Sequence, residues 1–481
     1  MDNVIYKNIV QTEMENDEEK LKISDSLIKL PKQIYERGYK LKFLDLSNNN
    51  LKELPNEFSR LINLEIAFFS NNEFNKFPTV LSECCNLTMI AFRHNKICDI
   101  VENSFPKNLE WLILTDNLIE KLPKSIGKCV KLKKLMLSGN KLIDLPHELK
   151  FCKNLELLRL SNNNLTQLPS FLFSLPKLSW FSYFGNNITT FSPLNSLKEY
   201  NPNNFIIKEQ IGEGASGCTF KAYSKDLNKD IALKIFKHAM TSDGSPQNEI
   251  YISNYIYSVS SINSLFTIHN ISHSDNISHS DNISHSDNIS HSDNISHSDN
   301  ISHPHIIPII GIINNYSDKT HALLLELISG FNTLGDPPNF KTCTRDIITR
   351  SFSLDNIITI CIAIISVSDY LHSYGVNHGD LYAHNIIVND NCNSYLCDLG
   401  ASSLYDKDSL FAAFIEKIEV RAFGCLLDDL LNNHDNSPID NSSYCFLNTL
   451  RDNCLQSNIS QRPSFSDIKR IFTYKFSSSI N

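Results

Sequence analysis

From residue 41 to about 200 the chain repeats one pattern, and that repeat leaves few folds open. LKFLDLSNNNLKELP from Leu41, LEWLILTDNLIEKLP from Leu109 and LELLRLSNNNLTQLP from Leu155 share the frame LxxLxLxxNxLxxLP. The frame restarts at Leu41, Leu64, Leu87, Leu109, Leu132, Leu155 and Leu178, at a period of 23 residues with one step of 22. A unit this short cannot bury its own apolar face, so successive units must stack and share a core. Each unit should give one short strand with its leucines inward. Its Asn (Asn49, Asn72, Asn95, Asn117, Asn140, Asn163, Asn186) should bond backbone groups at the turn leaving the strand.

Period and pattern are those of leucine-rich repeats, which predicts a curved α/β solenoid. Residues 1–40 read as an N-terminal segment with a degenerate first unit as cap, residues 41–200 as seven repeats, and 191–200 as the closing cap. The strand positions that do not point inward set the concave surface. One column reads Phe43, Ile66, Met89, Trp111, Lys134, Leu157, Trp180, and the next Asp45, Phe68, Ala91, Ile113, Met136, Arg159, Ser182. Apolar side chains this frequent on a sheet face predict protein docking, with Trp111, Trp180, Phe68, Met89 and Met136 as anchors for a substrate or regulator. The same face can instead pack on the chain's own second half.

Composition narrows the remainder. A net charge of −9 argues against nucleic acid as a partner. The N-terminus shows no basic segment followed by an apolar block, and the apolar run Ile357–Val367 is too short to cross a bilayer, so no membrane association and a cytoplasmic location are expected. Thirteen cysteines without CxxC pairs read as reduced, packed thiols.

After the linker NSLKEYNPNN the text changes to FIIKEQIGEGASGCTFKAY. Gly212, Gly214 and Gly217 form GxGxxG between two strand-like runs, whereas a dinucleotide-binding turn would open a helix. DIALKIF follows, a strand ending in Lys234, and Glu249 is the single Glu between Lys234 and His303. Ser245 and Pro246 suit the start of the helix that carries it. Two further strands, a long apolar helix, HGDLYAHN (residues 378–385), CDLG (residues 397–400), EVRAFGCLLDDLL and CLQSNISQRPSF complete an ordered set.

That set resembles a eukaryotic-type protein kinase domain over residues 204–474, a bilobal α+β fold. The whole is similar to leucine-rich-repeat kinases of the tyrosine-kinase-like group that carry an HGDLYAHN loop and CTRD (residues 343–346). The resemblance implies an ATP- and Mg2+-dependent serine/threonine kinase. Asp380 would be the catalytic group, with the Lys234–Glu249 ion pair, and Asn385 and Asp398 would hold the metal. ATP would meet Ile211, Gly212, Glu213, Gly214, Ala215, Ser216, Gly217, Thr219, Ala232, Lys234, Glu326 and Ile328. All five polar positions are filled, which favours activity over a silent scaffold.

The departures concern control and substrate. Gly379 stands where many kinases carry an Arg that binds an activation-loop phosphate, so control by such a phosphate is not expected. Tyr382 replaces a lysine that serine/threonine kinases hold near the γ-phosphate, and His384 offers a charge nearby. The segment from Asp398 to Glu419 is short and lacks APE, leaving Arg462 without its usual partner; this opens the alternative of a phosphotransferase for a non-peptide substrate. Glu419 replaces an Asp that caps the backbone of this loop. Within an insertion at 266–302, ISHSDN recurs five times over 271–300 without error, a composition expected to be disordered.

Overall fold

The computed structural model describes residues 19–188, 196–214, 216–237, 240–272, 303–316, 320–435 and 440–476. The N-terminal 18 residues, the first half of the expected closing cap (191–195) and the ISHSDN copies beyond residue 272 lie outside the described residues.

The repeats build one parallel eight-stranded sheet in sequence order. Its strands are β1 Lys20–Lys22, β2 Phe43–Asp45, β3 Ile66–Phe68, β4 Met89–Ala91, β5 Trp111–Ile113, β6 Lys134–Met136, β7 Leu157–Arg159 and β8 Trp180–Ser182. The register is uniform: Phe43, Ile66, Met89, Trp111, Lys134, Leu157 and Trp180 lie side by side. β1 pairs with β2, so the degenerate first unit does supply a strand. On the outer side the chain returns mainly in short 3-10 turns, such as Lys124–Lys128, His147–Phe151 and Ser170–Ser174, with one five-residue α-helix, Gln33–Arg37, in the first unit. Each of these 3-10 turns follows a proline, and too few residues remain before the next leucine for a longer helix.

The asparagines form the expected ladder. Asn140 Nδ2 donates to the carbonyls of Leu114 and Leu137, both at 2.9 Å, while its Oδ1 accepts from Ile119 N at 3.1 Å. Asn163 repeats this one unit on with Leu137, Leu160 and Leu142. Each amide thus satisfies backbone groups that a tight turn inside a dry core would otherwise strand, at a cost of roughly 1–3 kcal/mol apiece.

The second half begins with a five-stranded antiparallel sheet, β9 Phe205–Glu213, β10 Gly217–Ser224, β11 Lys229–Phe236, β12 Ile309–Ile313 and β13 Ala322–Glu326, in the order β12-β13-β11-β10-β9. Helix α1, Pro246–Ser272, lies between β11 and β12 in the chain. A helical lobe follows, with α2 Leu354–Ser373, α3 Ala412–Asn432, α4 Asn441–Cys454 and α5 Phe465–Phe476. α2 is 20 residues long and apolar enough to span a bilayer by length and composition. Its Ile357, Ile360, Ile364 and Val367 are instead fully buried in the core of this lobe.

The two halves share their cores. Tyr405, Ala412, Ile415, Ile418 and Ile459 belong to the apolar cluster of the repeats. Met136, Leu157 and Trp180 of the repeats belong to the cluster of the helical lobe. This corrects the expected docking face. Trp180, Met89 and Met136 are buried within the chain itself, and Phe68 lies 5.9 Å from the ring of Phe340. The Trp111 ring carries the Lys134 ammonium 4.1 Å from its centroid. A concave apolar sheet needs a cover, and here the cover comes from the same chain.

Candidate phosphate-transfer site

The glycine turn joins β9 to β10. Gly214 N donates to Gly217 O at 2.9 Å, closing the hairpin, and Thr219 faces both Gly212 and Lys234 across the sheet. A Cβ on Gly217 would lie 2.5 Å from Ile235 O, so that glycine is required by packing, while Gly214 faces open space. Ile211, Glu213 and Ser216 frame the turn, with Glu213 paired to Lys237 at 2.8 Å. Ala215 lies outside the described residues. Ala232 is buried on β11 opposite Leu325. Glu326 ends β13, but its N–H is already bonded to Pro308 O at 2.9 Å and its carboxylate to Lys229. That N–H is thereby used within the fold; Ile328 lies two residues further on, past the strand end.

Lys234, at the middle of β11, points between the lobes. Its Nζ lies 2.6 Å from Glu249 Oε1 and 3.3 Å from Asp398 Oδ1. Glu249 sits in the first turn of α1, which starts at Pro246. Ser245, just before it, bonds the side chain of Asn248 at 2.9 Å. Burial opposes the charge on Lys234, but Asp398 and Glu249 outweigh it and hold its pKa above the ordinary value. For Glu249 burial is the larger effect, and it pushes the carboxyl up to about 7 against the pull of Lys234. For Asp398 desolvation again pushes the carboxyl up, yet Lys234 and the Gly400 N–H outweigh it and keep it below the usual value. Its φ of 59° places a non-glycine residue in the left-handed region.

In HGDLYAHN, Asn385 Nδ2 donates to Asp380 Oδ2 at 2.7 Å and to Asp380 O at 2.9 Å. Glu419 on α3 accepts from the N–H groups of His378 (3.0 Å) and Gly379 (2.9 Å), so the longer carboxylate does cap this loop. It also lies 2.7 Å from His372 Nε2. Asp346, last residue of CTRD, accepts from His384 N at 2.8 Å and lies 2.9 Å from His384 Nδ1. Burial works against the imidazolium of His384, but Asp346 and Asp380 overcome it and raise the pKa. Arg462 finds backbone carbonyls instead of a Glu: Gln456 (2.8 Å), Lys417 (2.9 Å) and Pro176 of the repeats (2.7 Å). Cys397 is inert packing, its thiol pushed up to about 12 by burial.

Family comparison agrees with this arrangement. A protein kinase domain matches at residues 276–422, and leucine-rich repeats match at 40–61 and 107–165. The chain carries leucine-rich repeats and a protein kinase domain. The kinase match takes in Asp380, Asn385, Asp398 and Glu419; the glycine turn, Lys234 and Glu249 precede it. A probable cyclin-dependent serine/threonine-protein kinase of Dictyostelium discoideum is 20% identical over 56% of this chain and 38% of its own length. NUAK family SNF1-like kinase 1 of Homo sapiens is 34% identical over 23% of this chain and 15% of its own. The chain thus spans well under half the length of these relatives. A solved leucine-rich-repeat protein of Leptospira interrogans is 26% identical over 35% of this chain and 49% of its own, at a TM-score of 0.29.

The repeats reach directly into the kinase site, which the sequence did not foretell. Arg159, from β7, is fully buried. Its Nη1 donates to Gly379 O at 2.6 Å, its Nη2 donates to Asp380 Oδ1, and its Nε lies 3.1 Å from Asp243 Oδ1. Trp180 of β8 donates from its indole N–H to Leu381 O at 3.0 Å and stacks on Tyr382 with ring centroids 4.2 Å apart and planes 6° from parallel. Phe181 O accepts from Asn377 Nδ2 at 2.8 Å. The repeats also hold the loop leading into α1. Arg93 bonds Met240 O at 2.7 Å, Ser138 bonds Ser242 O, and Asn162 bonds Asn248 and Ser245. Asp243, in that loop, is a partly buried carboxylate that sequence reasoning missed; desolvation raises its pKa against the pull of Arg159. The available signal was a pair of cations, Lys134 and Arg159, on an otherwise mostly apolar face.

Proposed function

We propose that the chain is an ATP-dependent protein kinase that transfers the γ-phosphoryl group to Ser or Thr hydroxyls of proteins. The observation that carries this reading is the convergence of two constellations: Lys234 with Glu249 and Asp398, and Asp380 with Asn385. Phosphoryl transfer asks for little covalent chemistry, mainly in-line positioning and charge neutralisation. Lys234, fixed by Glu249, would bind the α- and β-phosphates, with the open face of Gly214 admitting them closely. The bond from the substrate hydroxyl oxygen to the γ-phosphorus forms while the β–γ bridging bond breaks. ADP leaves, and the hydroxyl proton passes to Asp380.

The donor set fits Mg2+. Asn385 commits its N–H groups to Asp380, which turns its amide oxygen to other use, and with the Asp398 carboxylate this gives two hard oxygen donors beside the expected phosphates. When bound, the ion would neutralise charge on the phosphate oxygens. Serine/threonine specificity is favoured by the names of the relatives. Recruitment through Trp180, Met89 and Met136 is not part of the proposal, because the chain buries them itself. Phosphotransfer to something other than an extended peptide stands as a second reading, because the repeats bond the segment after Asp398 as well: Ser403 Oγ accepts from Tyr183 N at 2.9 Å.

Radiolabelled ATP with Mg2+ and a generic protein substrate tests both readings. The wild type should transfer label, and Asp398→Ala should lose about 10²-fold or more. Transfer only to small hydroxyl compounds favours the second reading, and no transfer to either class contradicts both.

A further inference from the structure

A buried guanidinium from the repeats binds the carboxylate to which the reaction above gives the hydroxyl proton. Arg159 engages Asp380 Oδ1, Gly379 O and Asp243 at once, while Asp380 Oδ2 is held by Asn385. Both oxygens of Asp380 are thereby oriented, one from each module.

The electrostatics need such a cation. Four carboxylates, Glu249, Asp243, Asp380 and Asp398, gather around the cleft, and their charges act on one another. Lys234 answers the first and the last of these, at 2.6 and 3.3 Å. Asp380 and Asp243 are answered by Arg159. The HGDLYAHN loop supplies no lysine or arginine of its own, because Tyr382 is neutral, buried and stacked under Trp180. Without Arg159, two partly buried carboxylates would face an incoming triphosphate, and near Asp380 the His384 ring, with Nε2 4.0 Å from Oδ2, would be left in its place.

The contact is also permanent in construction. β7 and β8 share one apolar core with the helical lobe, through Leu157 and Trp180, so Arg159 cannot withdraw without opening that core. A reversible plug would sit on a separable, polar surface. Arginine suits the task because its planar fork makes several directed bonds with little further ordering.

Resting on the kinase reading, we propose that Arg159 is a positioning residue of the phosphate-transfer site: the leucine-rich repeats complete that site by orienting Asp380 and balancing its charge. The alternative is a lock, in which the same ion pair keeps Asp380 from the substrate.

The test uses the full chain as wild type, Arg159→Met, Arg159→Lys and Glu156→Gln. Glu156 accepts from Thr344 across the same junction without touching Asp380, and so reports a purely structural contribution. Each variant is assayed for kcat, for KM of ATP and for its unfolding midpoint. Arg159→Met should lower kcat by about 10²-fold while KM for ATP changes less than about threefold. Arg159→Lys should recover part of the loss, and Glu156→Gln should keep the wild-type kcat. Unchanged or raised kcat in Arg159→Met overturns the proposal, as does an equal fall in Glu156→Gln. Should Arg159→Met not fold, Arg159→Lys decides: a wild-type kcat there overturns the proposal, and a fall of about tenfold with ATP KM unchanged supports it. A wild type that transfers no phosphate removes the kinase reading and this inference together, whereas an active wild type with an indifferent Arg159 removes the inference alone.

Discussion

Gly379 and Tyr382, the two unusual residues of HGDLYAHN, each answer to a neighbour from the repeats. Gly379 has φ 75°, and a Cβ there would lie 2.6 Å from Ala401 O and 2.8 Å from Phe181 O, so no side chain fits between the loop and β8. Tyr382 supplies a flat ring for Trp180. Lys134 is a different case, an ammonium buried against Trp111, with burial lowering its pKa to about 8. Unfolded, it titrates near 10.5; folded, near 8. Below about 8 both states are charged and the folded chain bears the whole burial cost. Between the two values the unfolded chain keeps a proton that the folded one has released, so stability rises with pH across that window. Lys134→Met should therefore stabilise the chain at pH 7 by up to about 3 kcal/mol, and by clearly less at pH 9.5. Urea unfolding at the two pH values checks this, and an equal gain at both would contradict it.

Among elements, the loop from Met240 to Gly244 does most to join the modules. It leads into α1, which bears Glu249, and the repeats hold it through Arg93, Ser138, Asn162 and Arg159. The lysine–glutamate pair is thus set in part from outside the kinase domain. Asn162 is well placed for a test: it bonds Asn248 at 2.6 Å and the Ser245 N–H at 3.2 Å without belonging to the apolar core. Asn162→Ala should cost roughly 1–3 kcal/mol of unfolding free energy, and amide exchange along the first turn of α1 should quicken. Unaltered exchange there would show that the loop holds itself.

The elements themselves could be read from the sequence, because each obeys a local rule. The 23-residue period gave the strands, their register and the asparagine ladder. The order Lys234, Glu249, Asp380, Asn385, Asp398 gave residues that the fold indeed brings together. The docking of β7 and β8 obeys no local rule. Arg159 and Asp380 are 221 positions apart, and an apolar concave face reads the same whether its cover is a partner or its own chain. Asp243 was missed for the same reason, since nothing in TSDGS marks its aspartate as a partner of Arg159.

At the scale of the whole molecule, the two modules form one folded body with a site at their junction. Their apolar clusters interpenetrate, with Tyr405, Ile415 and Ile418 in one and Met136, Leu157 and Trp180 in the other. The repeats hold the HGDLYAHN loop through Gly379 O and the residue before it through the Asn377 side chain. The chain has two tryptophans, Trp111 and Trp180, both in the repeats, whereas the long α-helices among the described residues all lie in the kinase domain. Urea unfolding followed by tryptophan fluorescence reads the repeats at Trp111 and their junction with the kinase domain at Trp180, while far-ultraviolet circular dichroism at 222 nm reads the helices of the kinase domain. If the repeats complete the site as part of a single body, the two curves coincide with one midpoint. Two separated transitions, with the helical signal surviving after the tryptophans are exposed, would contradict the account.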